Sequence, residues 1–306
     1  MKHLLKLSDL SAEEILDILN LADQLKYEKA HGIAHKYLQD KTLGMIFQKA
    51  STRTRVSFEV GMYELGGYAL FLSSNDLQIG RGEPVQDTAR VLSRYLDAIM
   101  IRTYKQQEVE DLAKYGSIPV INGLTDHEHP CQMLADLMTI RELKKSFRGL
   151  KLAFVGDGYN MANSFIVGGV KLGMQVAIAC PEGYDPDAGI VKWAKETGLF
   201  TLTRDVLGAC KDADVVYTDV WSSMGMEKEM AARKAAFAGY QVNDVAMSAA
   251  KKDAIVLHCL PAHREEEITE KVLEEHAAEI FQQAENRLHA QKAVLVKLLG
   301  NNMVHH

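Results

Sequence analysis

The chain has 306 residues, of which 47% are hydrophobic and 25% charged, with a formal net charge of −6 and a pI near 6.0. That length suits two domains of roughly 100–200 residues, each with its own core, and the mild acidity excludes a general nucleic-acid or acidic-membrane binder, which needs a broad basic face. Four cysteines, Cys131, Cys180, Cys210 and Cys259, show no C-x-x-C pairing, so neither a disulfide framework nor a structural zinc is expected, and a reducing cytoplasm fits.

Met1 to Lys6 carries charge but no apolar stretch of signal-peptide length, so export and membrane insertion are not expected. Ser11-Ala12-Glu13-Glu14 is a capping-box pattern, and Ile15, Ile18, Leu19 and Ala22 then recur at helical spacing; a long first helix follows. Short apolar runs at 43–47, 69–72, 98–101 and 118–121 read as strands, separated by helices near 53–65, 86–96 and 106–114. This βαβ alternation implies a parallel sheet covered by helices on both faces. A helix over 130–145 ends in a charged, glycine-containing stretch, and a second alternation begins, with strands at 152–155, 176–179, 215–217 and 255–257. The expected fold is therefore α/β, two doubly wound parallel-sheet domains, 1–147 and 148–283, joined by helices. A last helix follows from about 284, and composition alone does not say where it packs.

In such sheets ligands bind beyond the carboxyl ends of the strands. Ser51-Thr52-Arg53-Thr54-Arg55 lies where the first strand turns into a helix: either an anion site made of helix amides, hydroxyls and guanidiniums, or a Ser/Thr cap with two solvated arginines. Arg102 ends the 98–101 strand and aims a second cation at the same crevice. His127-x-His129-x-Cys131 raises a metal site, but Pro130 interrupts the run and no further ligand spacing follows. His129 and Gln132 suit instead the donation of hydrogen bonds to an oxyanion.

In the second half, Gly156-Asp157-Gly158-Tyr159-Asn160-Met161-Ala162 resembles a dinucleotide-binding turn, and Glu182 lies near the end of the next strand, so an NAD-dependent dehydrogenase is a rival reading. Against it, Met161 occupies the third small position and Asp157 would set a carboxylate beside a pyrophosphate. Asp219 suits a primary ammonium and Asn160 a carboxylate, together an amino-acid site, although Asp219 taken alone is equally a loop-capping residue. His258 and Cys259 are adjacent on a strand and should face opposite ways, so they are not expected to form a nucleophilic dyad.

Taken together, Ser51 to Arg55, His129-Pro130-Cys131-Gln132, Asp219 with Ser223-Met224-Gly225, His258-Cys259-Leu260-Pro261 and Ala284-Glu285-Asn286-Arg287 resemble the ornithine carbamoyltransferases, from about residue 5 to 300. The resemblance implies transfer of the carbamoyl group of carbamoyl phosphate to the side-chain amine of L-ornithine, giving L-citrulline and phosphate, in an interdomain cleft, with no metal or organic cofactor. It implies carbamoyl phosphate contacts from Ser51, Thr52, Arg53, Thr54, Arg102, His129, Gln132, Cys259, Leu260 and Arg287, with Arg102, His129, Gln132 and Cys259 at the reacting centre. Asn160, Asp219, Ser223 and Met224 would hold ornithine. It further implies a homotrimer or an assembly of trimers, with Gln78 reaching a neighbour's site, and a helix at about 284–300 that returns to the first domain. Tyr159 departs from the pattern, standing where the family usually has a second asparagine. A relative acting on another amine, such as putrescine, would share the phosphate motif but need no carboxylate holder.

Overall fold

The computed structural model of the chain describes residues 1–223 and 225–300, without the side chain of residue 227. In the first half the order is α1 (Ala12–Ala30), β1 (Thr42–Phe47), α2 (Thr52–Glu64), β2 (Tyr68–Ser73), α3 (Val85–Leu92), β3 (Ala98–Arg102), α4 (Gln106–Tyr115), β4 (Val120–Leu124) and α5 (Pro130–Lys144). The second half runs β5 (Lys151–Val155), α6 (Asn160–Lys171), β6 (Gln175–Ala179), α7 (Ala188–Glu196), β7 (Phe200–Thr203), α8 (Val206–Cys210), β8 (Val215–Thr218), α9 (Met230–Ala236), α10 (Asp244–Ala249), β9 (Ile255–His258), α11 (Glu270–Glu275) and α12 (Ala277–Leu299). The chain divides into two compact units, Met1–Met138 with the segment from Asn286, and Thr139–Glu285. Both divisions fall inside a helix, α5 and α12.

Among the described residues, the strands form a four-stranded sheet ordered β2-β1-β3-β4 and a five-stranded sheet ordered β7-β6-β5-β8-β9, every pairing parallel. The central strands are continuous apolar runs because helices cover both of their faces: Ala98 to Ile101 and Leu152 to Val155 are each 0% exposed. Strand β7 escapes the sequence reading for the opposite reason. It is an edge strand, Phe-Thr-Leu-Thr, whose last three residues are only partly covered or exposed, so it lacks the apolar run that marked its neighbours. The first helix begins as read: Ser11 Oγ accepts from Glu14 N–H and Glu14 returns the bond to Ser11 N–H.

The sheet orders define where a ligand can sit. After β1 the chain goes to one side for β2 and then crosses to the other for β3; after β5 it goes to one side for β6 and β7 and then crosses to β8. The two topological switch points are therefore the carboxyl ends of β1 with β3, and of β5 with β8, where divergent connections leave an open crevice. Register brings Phe47 beside Arg102 in the first sheet and Val155 beside Thr218 in the second. The loops that leave those ends carry Ser51–Thr54, Asn160 and Asp219.

Candidate active site

The turn from β1 into α2 is suited to an anion. Ser51, in extended conformation, caps α2 by accepting the Thr54 N–H at 3.2 Å, and no acidic residue occupies the first turn. The leading amides therefore keep their attraction for negative charge. Thr54 is 1% exposed, and its hydroxyl accepts Arg287 Nη2 at 3.0 Å. Arg287, on α12, also donates Nη1 to Gln132 Oε1 at 2.6 Å and Nε to Gln291 Oε1 at 2.9 Å. Gln132 in turn donates to Asp136 at 2.8 Å. Three helices, α2, α5 and α12, thus meet through one buried guanidinium.

His129 stands just before α5, buried. Burial, and then the charges of Arg287, Arg102 and Arg53, hold its pKa well below 6.5, so at neutral pH it is an uncharged imidazole able to donate one N–H. The charges that act on it come from three elements: Arg287 from α12, Arg102 from the end of β3 and Arg53 from the α2 turn. Sequence spacing had joined Arg53, Arg102, His129 and Gln132 only by inference from strand ends.

Other residues of this unit stand apart. Arg55, the second guanidinium of the turn, points outward: its Nε meets Glu59 at 3.1 Å and its guanidinium lies 3.7 Å over the Phe71 ring. Cys131 donates its thiol to Asn122 O at 3.4 Å, and burial pushes that thiol up to about 12, which makes it neither nucleophile nor ready ligand. Gln78 sits exposed on the short turn Gln78–Arg81. Lys49 was missed: it is 3% exposed, ion-paired with Asp126 and 4.2 Å over the Tyr104 ring. Burial lowers its pKa, and the charge of Arg102 lowers it further. Its place two residues before Ser51 was the available signal.

In the second unit, the glycine turn after β5 is closed by its own chain. A Cβ on Gly158 would lie 2.3 Å from Tyr184 O and 2.4 Å from Pro186 N, and Gly158 N–H donates to Tyr184 O at 3.0 Å. The glycine that in a dinucleotide fold leaves room for pyrophosphate here leaves room for the 184–186 loop. Asp157 is buried against Arg233, whose Nε donates to Trp221 O at 2.7 Å; burial outweighs the guanidinium and raises the carboxyl to about 7. The dehydrogenase reading loses its binding surface on these contacts.

Asn160 and Asp219, read from the sequence as an amino-acid site, both lie beside that turn. Asn160 is 5% exposed, and its Oδ1 accepts the Met161 N–H at 2.8 Å. Asp219, at the end of β8, has its carboxyl raised by burial. Its Oδ1 accepts Cys259 Sγ at 3.0 Å and Val220 N–H at 2.8 Å. A Cβ on Gly156 would lie 3.6 Å from Asp219 O, so the two strand-end loops are in contact. Asp219, His258 and Cys259 offer ligand atoms within 4.8 Å of one another, yet His258 has both ring nitrogens engaged: Nδ1 accepts Leu260 N–H at 2.9 Å, and Nε2 donates to Glu267 Oε1 at 2.9 Å. Cys259 faces Asp219 while His258 faces Glu267, so no Cys–His dyad forms. Leu260 follows with φ +56° before the cis Leu260–Pro261 bond. Ser223 is partly buried, its carbonyl accepting Met226 N–H at 3.1 Å; Met224 lies outside the described residues.

Residues 2–142 match the carbamoyl-P binding domain, and residues 148–298 the Asp/Orn binding domain, of the aspartate/ornithine carbamoyltransferases. The chain belongs to that family. It is 54% identical over 301 residues to an ornithine carbamoyltransferase of Archaeoglobus fulgidus, covering 98% of each chain, and 57% identical over 303 residues to one of Anoxybacillus flavithermus, covering 97% and 96%. Among solved structures it resembles the ornithine carbamoyltransferase from Pyrococcus furiosus, with a TM-score of 0.93 and 54% identity over 98% and 97% of the chains. The carbamoyltransferase pattern along the sequence assigns Arg287 to the second matched segment, whereas the fold returns it to the first unit.

Proposed function

We infer that the chain is an ornithine carbamoyltransferase: it transfers the carbamoyl group of carbamoyl phosphate to the side-chain amine of L-ornithine, giving L-citrulline and phosphate. The observation that carries the reading is the meeting of Thr54 of the α2 turn, Gln132 of α5 and Arg287 of α12 through one buried guanidinium in a chain whose net charge is −6. A local cationic site of this kind fits a compact dianion, and the near-full-length relatives named ornithine carbamoyltransferase support the acceptor.

In this reading the phosphate lies against the α2 amides, Ser51, Thr52, Thr54 and Arg53, with Arg287 behind. The carbonyl oxygen receives hydrogen bonds from Arg102 and His129, and from the Gln132 N–H not given to Asp136; these strengthen as the oxygen gains charge in the tetrahedral intermediate. Ornithine is held by its carboxylate at Asn160, Ser223 and Met224 and by its α-ammonium near Asp219, while Cys259 and Leu260 line the reacting end. A free side-chain amine titrates near ~10.4, so only about one molecule in a few thousand is nucleophilic at neutral pH; loss of water around it raises that fraction. The neutral amine attacks the carbonyl carbon and forms the C–N bond, the C–O bond to phosphate breaks, and the amine proton leaves with the phosphate. No side chain need act as a strong base, and no metal or organic cofactor enters.

The reading extends to a homotrimer in which Gln78 serves a neighbouring site, to a first domain of 1–147 completed by the 284–300 helix with a second of 148–283, and to a cytoplasmic role in arginine biosynthesis. No helix of the described residues is long and apolar enough to cross a membrane. The deciding assay is citrulline formation from carbamoyl phosphate with ornithine, and with putrescine in parallel. Ornithine is expected to turn over at least a hundredfold faster; equal rates, or none with either, overturn the assignment. Thermal stabilisation by NAD but not by carbamoyl phosphate would restore the dehydrogenase.

A further inference from the structure

One side chain of the first unit ties the phosphate corner together from outside it. Gln291, on α12 one turn beyond Arg287, is 0% exposed. Its Oε1 accepts Arg287 Nε at 2.9 Å, and its Nε2 donates to Ser57 Oγ at 2.6 Å. Ser57, on α2, donates to the Arg53 carbonyl at 2.6 Å and, more weakly, to the Thr54 carbonyl at 3.3 Å. The direction of this chain is forced by chemistry. A guanidinium only donates, so the amide must turn its oxygen toward Arg287 and its nitrogen toward Ser57. Having accepted from that nitrogen, the Ser57 hydroxyl points its single proton back at the first turn of α2.

The consequence is geometric. With Nε committed to Gln291, the two terminal nitrogens of Arg287 are left facing Thr54 and Gln132; a rotation of the guanidinium plane would break all three bonds at once. With Ser57 committed to the Arg53 carbonyl, the turn whose amides and side chains meet the anion is held in the same network. We propose that Gln291 is a positioning residue for carbamoyl phosphate, locking Arg287 of α12 against the anion-binding turn of α2 through the chain Arg287–Gln291–Ser57–Arg53. The proposal rests on the carbamoyltransferase reading above for the identity of the ligand.

The test pairs Gln291→Met, close in volume but without the amide, with Ser57→Ala, which cuts the chain at its other end and decides the matter where the methionine variant fails to fold. Both are expected to raise the KM for carbamoyl phosphate roughly tenfold, as loss of a hydrogen bond to a charged group does. kcat should stay within about threefold and the KM for ornithine should be unchanged. The double variant should be no worse than the more affected single one, because both cut a single chain. Binding of inorganic phosphate, measured by calorimetry, should weaken by the same factor. A wild-type protein that binds phosphate but forms no citrulline defeats the functional reading alone, and the calorimetric comparison still judges the relay. An unchanged KM and phosphate affinity in a folded variant overturn the proposal. So do losses confined to kcat and melting temperature, which a purely structural role would produce, and additive effects in the double variant.

Discussion

Arg287 shows what one side chain can join. Its three nitrogens reach Gln291, Gln132 and Thr54 on three different helices, a task that needs a planar fork rather than a point charge. Arg287→Lys, which keeps the charge, is expected to raise the KM for carbamoyl phosphate by at least about tenfold; steady-state kinetics with both substrates checks it, and a wild-type KM would show that charge alone suffices. Asp157 gives a pH test. Its pKa rises from 3.8 to about 7 on folding because burial outweighs Arg233. Between those values the folded chain holds a proton that the unfolded chain has released, so this group favours folding below pH 3.8 and loses that contribution as pH rises through about 7. In Asp157→Asn the stability-against-pH curve should lose a falling slope of up to about 1.4 kcal/mol per pH unit across that window. Urea titrations at several pH values measure it; loss of the Arg233 partner shifts the level, so the slope is the readout. Legibility at this scale followed position in the fold. Arg53, Arg102, His129 and Asp219 could be read because they end strands or open helices. Arg55 could not, since Glu59 and Phe71 decide which way it points. Gln291 could not either, because its partner Ser57 lies 234 residues away.

At the level of elements, the same glycine-rich turn can serve two purposes, and its partner decides between them. The turn between β5 and α6 has the spacing of a dinucleotide loop, yet the 184–186 loop fills the space beside Gly158. Gly158→Ala therefore drives a methyl group into backbone that cannot yield. The expected cost is about 1–3 kcal/mol, read as a lowered urea midpoint, whereas Gly183→Ala, with no atom within 4 Å of its Cβ, should show only the smaller penalty of its φ of +84°. Equal losses would mean that the loop moves aside. The central strands were legible because burial on both faces writes an unbroken apolar run. Strand β7 was not, because one side of an edge strand faces solvent and its composition blurs into loop. Strand β4 was read two to three residues early, since Leu4 pairs with Ile121 across it and the apolar run begins before the ladder does.

For the whole molecule, two rounds of βαβ alternation were enough to expect two parallel sheets, and the sheet orders then explain why the polar residues cluster at two switch points. What composition left open was the destination of α12, whose apolar and polar positions fit either sheet. The answer lies in buried polar partners: Arg287 at Thr54 and Gln132, and Lys292 between His35 at 2.8 Å and Glu64 at 2.7 Å. A chain ending at 285 should bind inorganic phosphate at least about a hundredfold more weakly than the full chain, while residues 139–285 retain their hydrogen-exchange protection. Undiminished phosphate binding would show that the α2 turn and His129 suffice without the last helix.

The return of α12 also sets a timetable. During synthesis Gln132 emerges 155 residues ahead of the arginine it must meet, a lag of roughly 8–30 s at about 5–20 residues per second. The second unit is complete before the first can close. A ribosome that releases the chain before α12 thus leaves a product with a complete second unit and a first unit that lacks the arginine joining Thr54 to Gln132.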